Sequence, residues 1–267
     1  MNEIRIIDTH CHLDFKELKT RLDKVIKDAK INNVTDMVTI STNLSRIDTI
    51  KDISEQYQEV FFTVGVHPNE AHKDKQYDDH YFIENSSNHE KCVGIGEGGL
   101  DYFYNMDNMK LQKKSLEVQI NVARSTNLPM IIHSRDADND MIEILKSEYK
   151  NGPFRAILHC FSSGEELAYC GLDLDFFISF SGILTFNSAK NIQKIAKNIP
   201  LSKILVETDS PYLAPSPVRG SVNEPKNCLH TAQFLSKLRN VNFFDLCETL
   251  YKNSLTIYDK IKLWKDK

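Results

Sequence analysis

His10 and His12 stand two residues apart in Asp8-Thr9-His10-Cys11-His12, which directly follows the apolar run Ile4-Arg5-Ile6-Ile7. At a strand end, side chains two positions apart point the same way, so the two imidazoles can hold one metal ion. On the same alternation Asp8 shares their face, as a ligand or as a support for one of the histidines. Four more apolar segments end in residues of compatible chemistry. They are Gly96-Glu97-Gly98-Gly99-Leu100-Asp101, His133-Ser134-Arg135, His159-Cys160-Phe161-Ser162 and Glu207-Thr208-Asp209-Ser210-Pro211.

Glu97 lies among glycines, which let the backbone pass close to a ligand. Their spacing makes no dinucleotide-binding fingerprint, because Gly99 is followed by Leu100 and Asp101 with no helix beginning there. His133 and His159 each close an apolar segment, where an unpaired imidazole is a costly choice for simple packing. Asp209 can ligate a metal and take a proton from an attacking water; the alternative is a cap on a helix opening at Ser210-Pro211.

His10, His12, Glu97, His133, His159 and Asp209 supply nitrogen and oxygen donors without thiolate, a set suited to Mg, Mn, Zn or Fe rather than a structural zinc knot. They suffice for two divalent metal ions about 3.5–4 Å apart, with Glu97 as a bridge, and hydrolysis is the natural reaction of such a pair. Glu97 and Asp209 are the catalytic candidates.

Residues at the ends of separate strands reach one another only if the strands converge. Short β-rich segments alternate with helical periodicity along the chain, the pattern of βα units around a parallel sheet. Eight such segments are expected: Ile4 to Ile7, Asp36 to Ile40, Val60 to Val66, Lys91 to Ile95, Pro129 to Ile132, Arg155 to Leu158, Phe176 to Ser179, and Ile204 to Val206. Helical spacing of three and four marks Leu18 to Ala29, Leu116 to Ala123, Met141 to Tyr149 and Asn187 to Ile199. Asp74 to Asp79 reads as a polar loop, and the tail from Leu229 to about Leu263 as two extra helices broken near Asn240 to Asn242.

Candidate site residues close the first, fourth, fifth, sixth and eighth segments. A (β/α)8 TIM-type barrel gathers all strand ends around one mouth, whereas an open sheet leaves first and last far apart. The expectation is one α/β barrel domain over residues 1–267, with extra C-terminal helices.

Composition narrows the classes. The formal charge of −4 and pI near 6.1 argue against a generally basic nucleic-acid surface, although bound dications reverse the sign locally. No apolar run approaches the roughly 18 residues of a membrane span, and the reading is of a cytoplasmic protein. Six cysteines show no Cys-x-x-Cys spacing and are expected to be reduced, with Cys11 and Cys160 turned away from the metals by strand alternation. Oligomeric state is open, and a monomer is compatible.

The chain resembles the TatD-type metal-dependent deoxyribonucleases of the amidohydrolase superfamily nearly end to end. The resemblance rests on Asp8-Thr9-His10-Cys11-His12-Leu13-Asp14, Gly65-Val66-His67-Pro68, Gly96-Glu97-Gly98-Gly99-Leu100-Asp101-Tyr102, His133-Ser134-Arg135, His159-Cys160-Phe161, Glu207 to Leu213, and Arg219-Gly220 with Asn223-Glu224-Pro225. It implies a (β/α)8 barrel in which His10, His12, Glu97 and Asp209 surround one metal, and Glu97, His133 and His159 the other. It also implies that Asp209 orients the attacking water. Gly98 stands where the family has a larger apolar residue. Many relatives on this architecture bridge their metals with a lysine after the fourth strand, but no lysine falls between Val93 and Asp101, which points to the nuclease branch.

The expected activity is metal-dependent cleavage of DNA phosphodiester bonds, as an exonuclease on single strands. Small-molecule amide or ester hydrolysis and a non-catalytic binding scaffold are the alternatives. Arg135 and Arg219 are expected to contact phosphates, since guanidinium forks match their oxygens. His67 can hydrogen-bond the substrate or serve as a loop histidine. Tyr102 or Phe103 can stack on a base or pack in the core.

Overall fold

The computed structural model describes residues 4–72, 80–104 and 106–267, so the expected Asp74–Asp79 loop lies outside the described residues. Eight strands run in chain order: β1 (Ile6–Cys11), β2 (Val34–Thr39), β3 (Val60–Val64), β4 (Cys92–Asp101), β5 (Met130–Arg135), β6 (Ala156–Leu158), β7 (Phe177–Phe180) and β8 (Ile204–Val206). Helices stand between them: α1 (Lys16–Lys19) and α2 (Leu22–Ile31), α3 (Ile47–Gln56), α4 (His80–Ser86), α5 (Met109–Thr126), α6 (Asp138–Asn151), α7 (Glu165–Asp173) and α8 (Lys190–Asn198). The tail adds α9 (Cys228–Arg239), α10 (Phe243–Ile257) and α11 (Asp259–Lys265).

All neighbouring strands pair in parallel in the order β1 to β8. Just past β8 the chain returns to β1: Asp209 N–H donates to His10 O (2.9 Å) and His12 N–H to Ser210 O (2.8 Å). This seam brings the last strand end back to the first, giving the expected (β/α)8 barrel.

Alternation along each strand separates two apolar layers. Ile6, Met37, Phe62, Cys92, Ile132, Leu158, Ile178 and Val206 pack outward with helix residues such as Val25, Ile50, Leu116 and Leu145. Ile7, Val38, Phe61, Val93, Ile131, Ile157, Phe177 and Leu205, one from each strand, face one another and form an interior plug with Tyr251, Ile257, Tyr258 and Ile261 of the C-terminal segment. The amino-terminal end of the barrel is thereby sealed, and Tyr258 locks it by donating to Thr9 O at 3.1 Å.

The tail breaks where two asparagines demand it. Asn240 ends α9 in the left-handed conformation, and Asn242 caps α10 by accepting from Phe244 N–H and Asp245 N–H. A second break at Tyr258 makes three helices where two are expected. The structure also adds α3, α4 and α7, absent from the sequence reading. Strands β1, β4 and β5 run on into polar residues that a search for apolar runs discards. Among the described residues no helix is long and apolar enough to cross a membrane.

Candidate metal centre

Two strand irregularities aim the central side chains. Between Asp8 and Cys11, three steps along β1 match two along β2, from Met37 to Thr39. The extra residue breaks the alternation. Asp8 therefore does not share a face with the histidines; its carboxylate accepts from Thr208 N–H (2.9 Å) and Thr208 Oγ1–H (2.6 Å), fastening the seam beneath Asp209. Burial pushes the Asp8 carboxyl up to about 8 despite those bonds.

The second bulge lies between Ile95 and Gly98, which pair with Met130 and Ile132, and it carries Glu97. Bulges re-aim a side chain in this way beside active sites. Glu97 N–H donates to Ser41 O (3.0 Å), and Gly96 O accepts from Thr63 Oγ1–H (2.5 Å). Gly96 is required here: its φ is +125°, and a Cβ would lie 2.6 Å from Ile131 O. Gly98, smaller than the family's residue, leaves room for Gln119, whose amide bonds both Val66 N–H and Val66 O.

Glu97 is 3% exposed and its two oxygens face different partners. Oε1 is 2.8 Å from His159 Nε2, 3.0 Å from His133 Nδ1 and 3.5 Å from His67 Nε2. Oε2 is 3.4 Å from His10 Nε2 and 4.0 Å from His12 Nε2. Asp209 Oδ1 completes the second group, 3.6 Å from His10 Nε2 and 3.4 Å from His12 Nε2. The structure thus brings together all six residues expected to bind metal. Potential donor atoms of His10, Glu97 and His159, of His10, His12 and Asp209, and of His67, Glu97 and His133 each lie within 4.8 Å of one another.

The far side of each ring decides which nitrogen can donate a lone pair. His12 Nδ1 faces Ile40 O at 3.4 Å, His159 Nδ1 faces Glu207 Oε1 at 3.3 Å, and His133 Nε2 faces Asp101 Oδ2 at 3.4 Å. Each contact favours N–H on the far nitrogen and leaves the one facing Glu97 as a lone pair. His67 is reversed. Its Nδ1 accepts from Asn69 N–H at 3.0 Å, so Nε2 carries the hydrogen and acts as a donor, not a ligand. Burial drives the His67 pKa down to about 4, against the pull of Glu97.

Burial opposes ionisation of Glu97, but His159, His67 and His10 outweigh it and hold its carboxyl well below the ordinary range. Asp209 is lowered in the same sense, by His12 and His10 against burial. The imidazoles cannot all be protonated together. His10, stacked on His159 at 3.9 Å, is held below its ordinary value by burial and by that neighbour. Both ring nitrogens of fully buried His10 lack a hydrogen-bond partner. Such an arrangement is costly for packing and fits a bound cation.

The outlying expectations divide. Arg135 lines the cavity above the cluster, with its guanidinium 3.8 Å from the Phe103 ring centre and 4.8 Å from that of Tyr104. Arg219 is exposed and stacks on Phe186 at 3.9 Å, outside the residues that line this cavity. Tyr102 lines the cavity but is half-buried, packs against the core, and donates its hydroxyl to Asp140 at 2.6 Å. Phe103 is exposed at the cavity. Cys11 packs outward, as expected, but Cys160 lines the cavity, because β6 ends at Leu158 and strand alternation does not reach it.

Sequence reasoning assigned no role to Asp101, Glu207 or Asn69. All three fall inside or beside the quoted motifs, which was the available signal. Their partners are remote in sequence, so their tasks were hidden.

A parallel barrel with a buried nitrogen-and-oxygen cluster at the carboxyl ends of its strands is the architecture of a metal-dependent hydrolase. The family model described as TatD related DNase matches residues 7–259, and the chain belongs to that family. The protein is 35% identical over 253 residues to the uncharacterized metal-dependent hydrolase YabD of Bacillus subtilis, covering 95% of this chain and 98% of that one. It is also 35% identical over 256 residues to the uncharacterized metal-dependent hydrolase YcfH of Escherichia coli, covering 95% of each. The crystal structure of YJJV, a TatD homologue from Escherichia coli, superposes with a TM-score of 0.90 at 25% identity, covering 96% of this chain and 98% of that one.

Proposed function

We propose that the protein hydrolyses phosphodiester bonds of DNA, as an exonuclease on single strands, with two divalent cations held on either side of Glu97. The observation that carries the pair is the divided contact of Glu97: Oε1 toward His133 and His159, Oε2 toward His10 and His12. Bound cations here supply Lewis acidity toward the phosphoryl group and lower the pKa of water.

The chain's own residues supply the rest. Asp209, at the rim of the cluster and held as a carboxylate, is the base for the attacking water. His67 presents an Nε2–H donor to a phosphoryl oxygen. Arg135 offers a guanidinium to a neighbouring phosphate; among the described residues no carboxylate lies within ion-pair distance of it. Arg219 lies outside the residues that line the cavity and is given no part in that contact.

The cavity favours a polymer over a small amide or ester. Its volume is about 1690 Å³, beyond the roughly 300–1000 Å³ of pockets that enclose drug-sized ligands. The deciding experiment is cleavage of end-labelled single-stranded DNA by metal-stripped protein with Mg, Mn or Zn restored, beside Glu97→Ala and Asp209→Ala. Metal-dependent shortening lost in both variants is expected, with about two ions per chain by elemental analysis. Metal uptake without cleavage of any oligonucleotide would transfer the assignment to small-molecule hydrolysis, and no uptake would leave a binding scaffold.

A further inference from the structure

One wall of the cavity ends in an exposed aromatic ledge. Phe103 and Tyr104 are 56% and 68% exposed, and both line the cavity that contains the cluster. Their rings meet edge to face at 4.8 Å, and Arg135 lies over them. Large apolar rings exposed beside a cation, at the mouth of a reaction site, suit an occupant with a flat face and a negative charge. Tyr212, 55% exposed, also lines the cavity, where its ring meets Phe15 at 6.1 Å.

The ledge is tied to the cluster through one carboxylate. Asp101 Oδ1 accepts from Phe103 N–H (3.0 Å) and Tyr104 N–H (3.2 Å). Its Oδ2 accepts from Asn69 Nδ2–H (3.0 Å) and faces His133 Nε2 at 3.4 Å. Gln112 clamps the same residue's backbone at both ends, Oε1 accepting from Asp101 N–H and Nε2–H donating to Asp101 O. The aromatic pair and a histidine of the cluster are therefore set from the same rigid point.

We propose that this ledge is a base-stacking subsite, in which an unpaired nucleobase lies on Tyr104 and Phe103 while Arg135 holds the adjoining phosphate, so that the next phosphodiester falls at Glu97. Asp101 is the positioning residue that fixes this register. The proposal rests on the nucleic-acid reading above and narrows it: the substrate must present at least one unstacked base, so a fully paired blunt end is disfavoured. Stacking on an aromatic platform is indifferent to base identity, and little sequence preference follows.

The test uses a single-stranded oligonucleotide carrying the fluorescent base 2-aminopurine near its end, mixed with full-length protein in chelator so that binding is read without cleavage. Quenching of the base is expected with the wild-type protein. Tyr104→Ala combined with Phe103→Ala should abolish the quenching and weaken binding about tenfold, within the range for one lost stack. Tyr104→Phe should keep both. With metal restored, an abasic analogue at that position should raise KM for the wild-type protein about tenfold but leave the double variant indifferent, with kcat little changed. Retained quenching and unchanged KM in the double variant, with cleavage intact, would overturn the ledge and leave the nuclease reading standing. Failure of the wild-type protein to bind or cut any oligonucleotide would remove both.

Discussion

The two ends of the barrel are built from the same eight strands and obey opposite rules. At the floor, one apolar side chain per strand meets Tyr251, Ile257, Tyr258 and Ile261. Tyr258 O–H donates to Thr9 O, and Asn253 Nδ2–H bonds both Leu201 O and Ile204 O at 2.8 Å. At the mouth, two residues further along the strands, His133, His159 and Glu207 replace apolar neighbours, and His10 and Glu207 keep buried atoms without hydrogen-bond partners. The floor holds the fold, and the mouth is maintained against it for chemistry. Stability and function are divided by depth along a strand, not by segment of the chain.

That division can be broken by mutation. Glu97→Ala should reduce cleavage by at least about a thousandfold, since several kcal/mol of charge stabilisation is lost. Its melting temperature in chelator should fall far less than that of the floor variant below; an equal fall would show that the mouth also holds the fold. Tyr258→Ala at the floor should cost about 3–5 kcal/mol, the scale for deleting a large buried ring. Denaturant unfolding would measure it, and bound metal per folded molecule should not change.

Smaller effects sharpen the boundary. Glu207→Gln retains the shape but weakens the orientation of His159, and metal affinity should fall about 10–100-fold. Titration against a competing chelator would reveal an unaltered affinity and dismiss that role. At the rim, Glu224 pairs with Arg21 and with Lys226 (2.8 Å). Burial raises its carboxyl, but Lys226 and Arg21 outweigh this and hold it below the ordinary value. Its contribution is therefore present above the unfolded glutamate range and is lost as pH falls through the lower folded value. Glu224→Gln should flatten that acid loss by about 1 kcal/mol or less, read from denaturant midpoints at successive pH values.

The barrel and the six clustered residues were legible because apolar runs and the polar residues closing them lie close together in sequence. What alternation could not supply was the pair of bulges. It put Asp8 beside His10, whereas the extra residue before Cys11 turns Asp8 to Thr208. The reversed tautomer of His67 depends on a bond from Asn69 N–H, and the work of Asp101 on contacts to His133 and Asn69, none of which a spacing reveals. Of the aromatic run, Tyr102 or Phe103 was expected to stack on a base or pack in the core; Tyr102 packs against the core and donates its hydroxyl to Asp140 on α6. Tyr104, two positions on, is exposed at the cavity against Phe103 and Arg135.

The seam between the first and last strands has a consequence for the birth of the molecule. Asp209, hydrogen-bonded through its backbone to His10, follows it by almost two hundred residues in the chain. A growing chain cannot assemble the full set of donors until Asp209 has been made. The six donors therefore come together only as the barrel shuts.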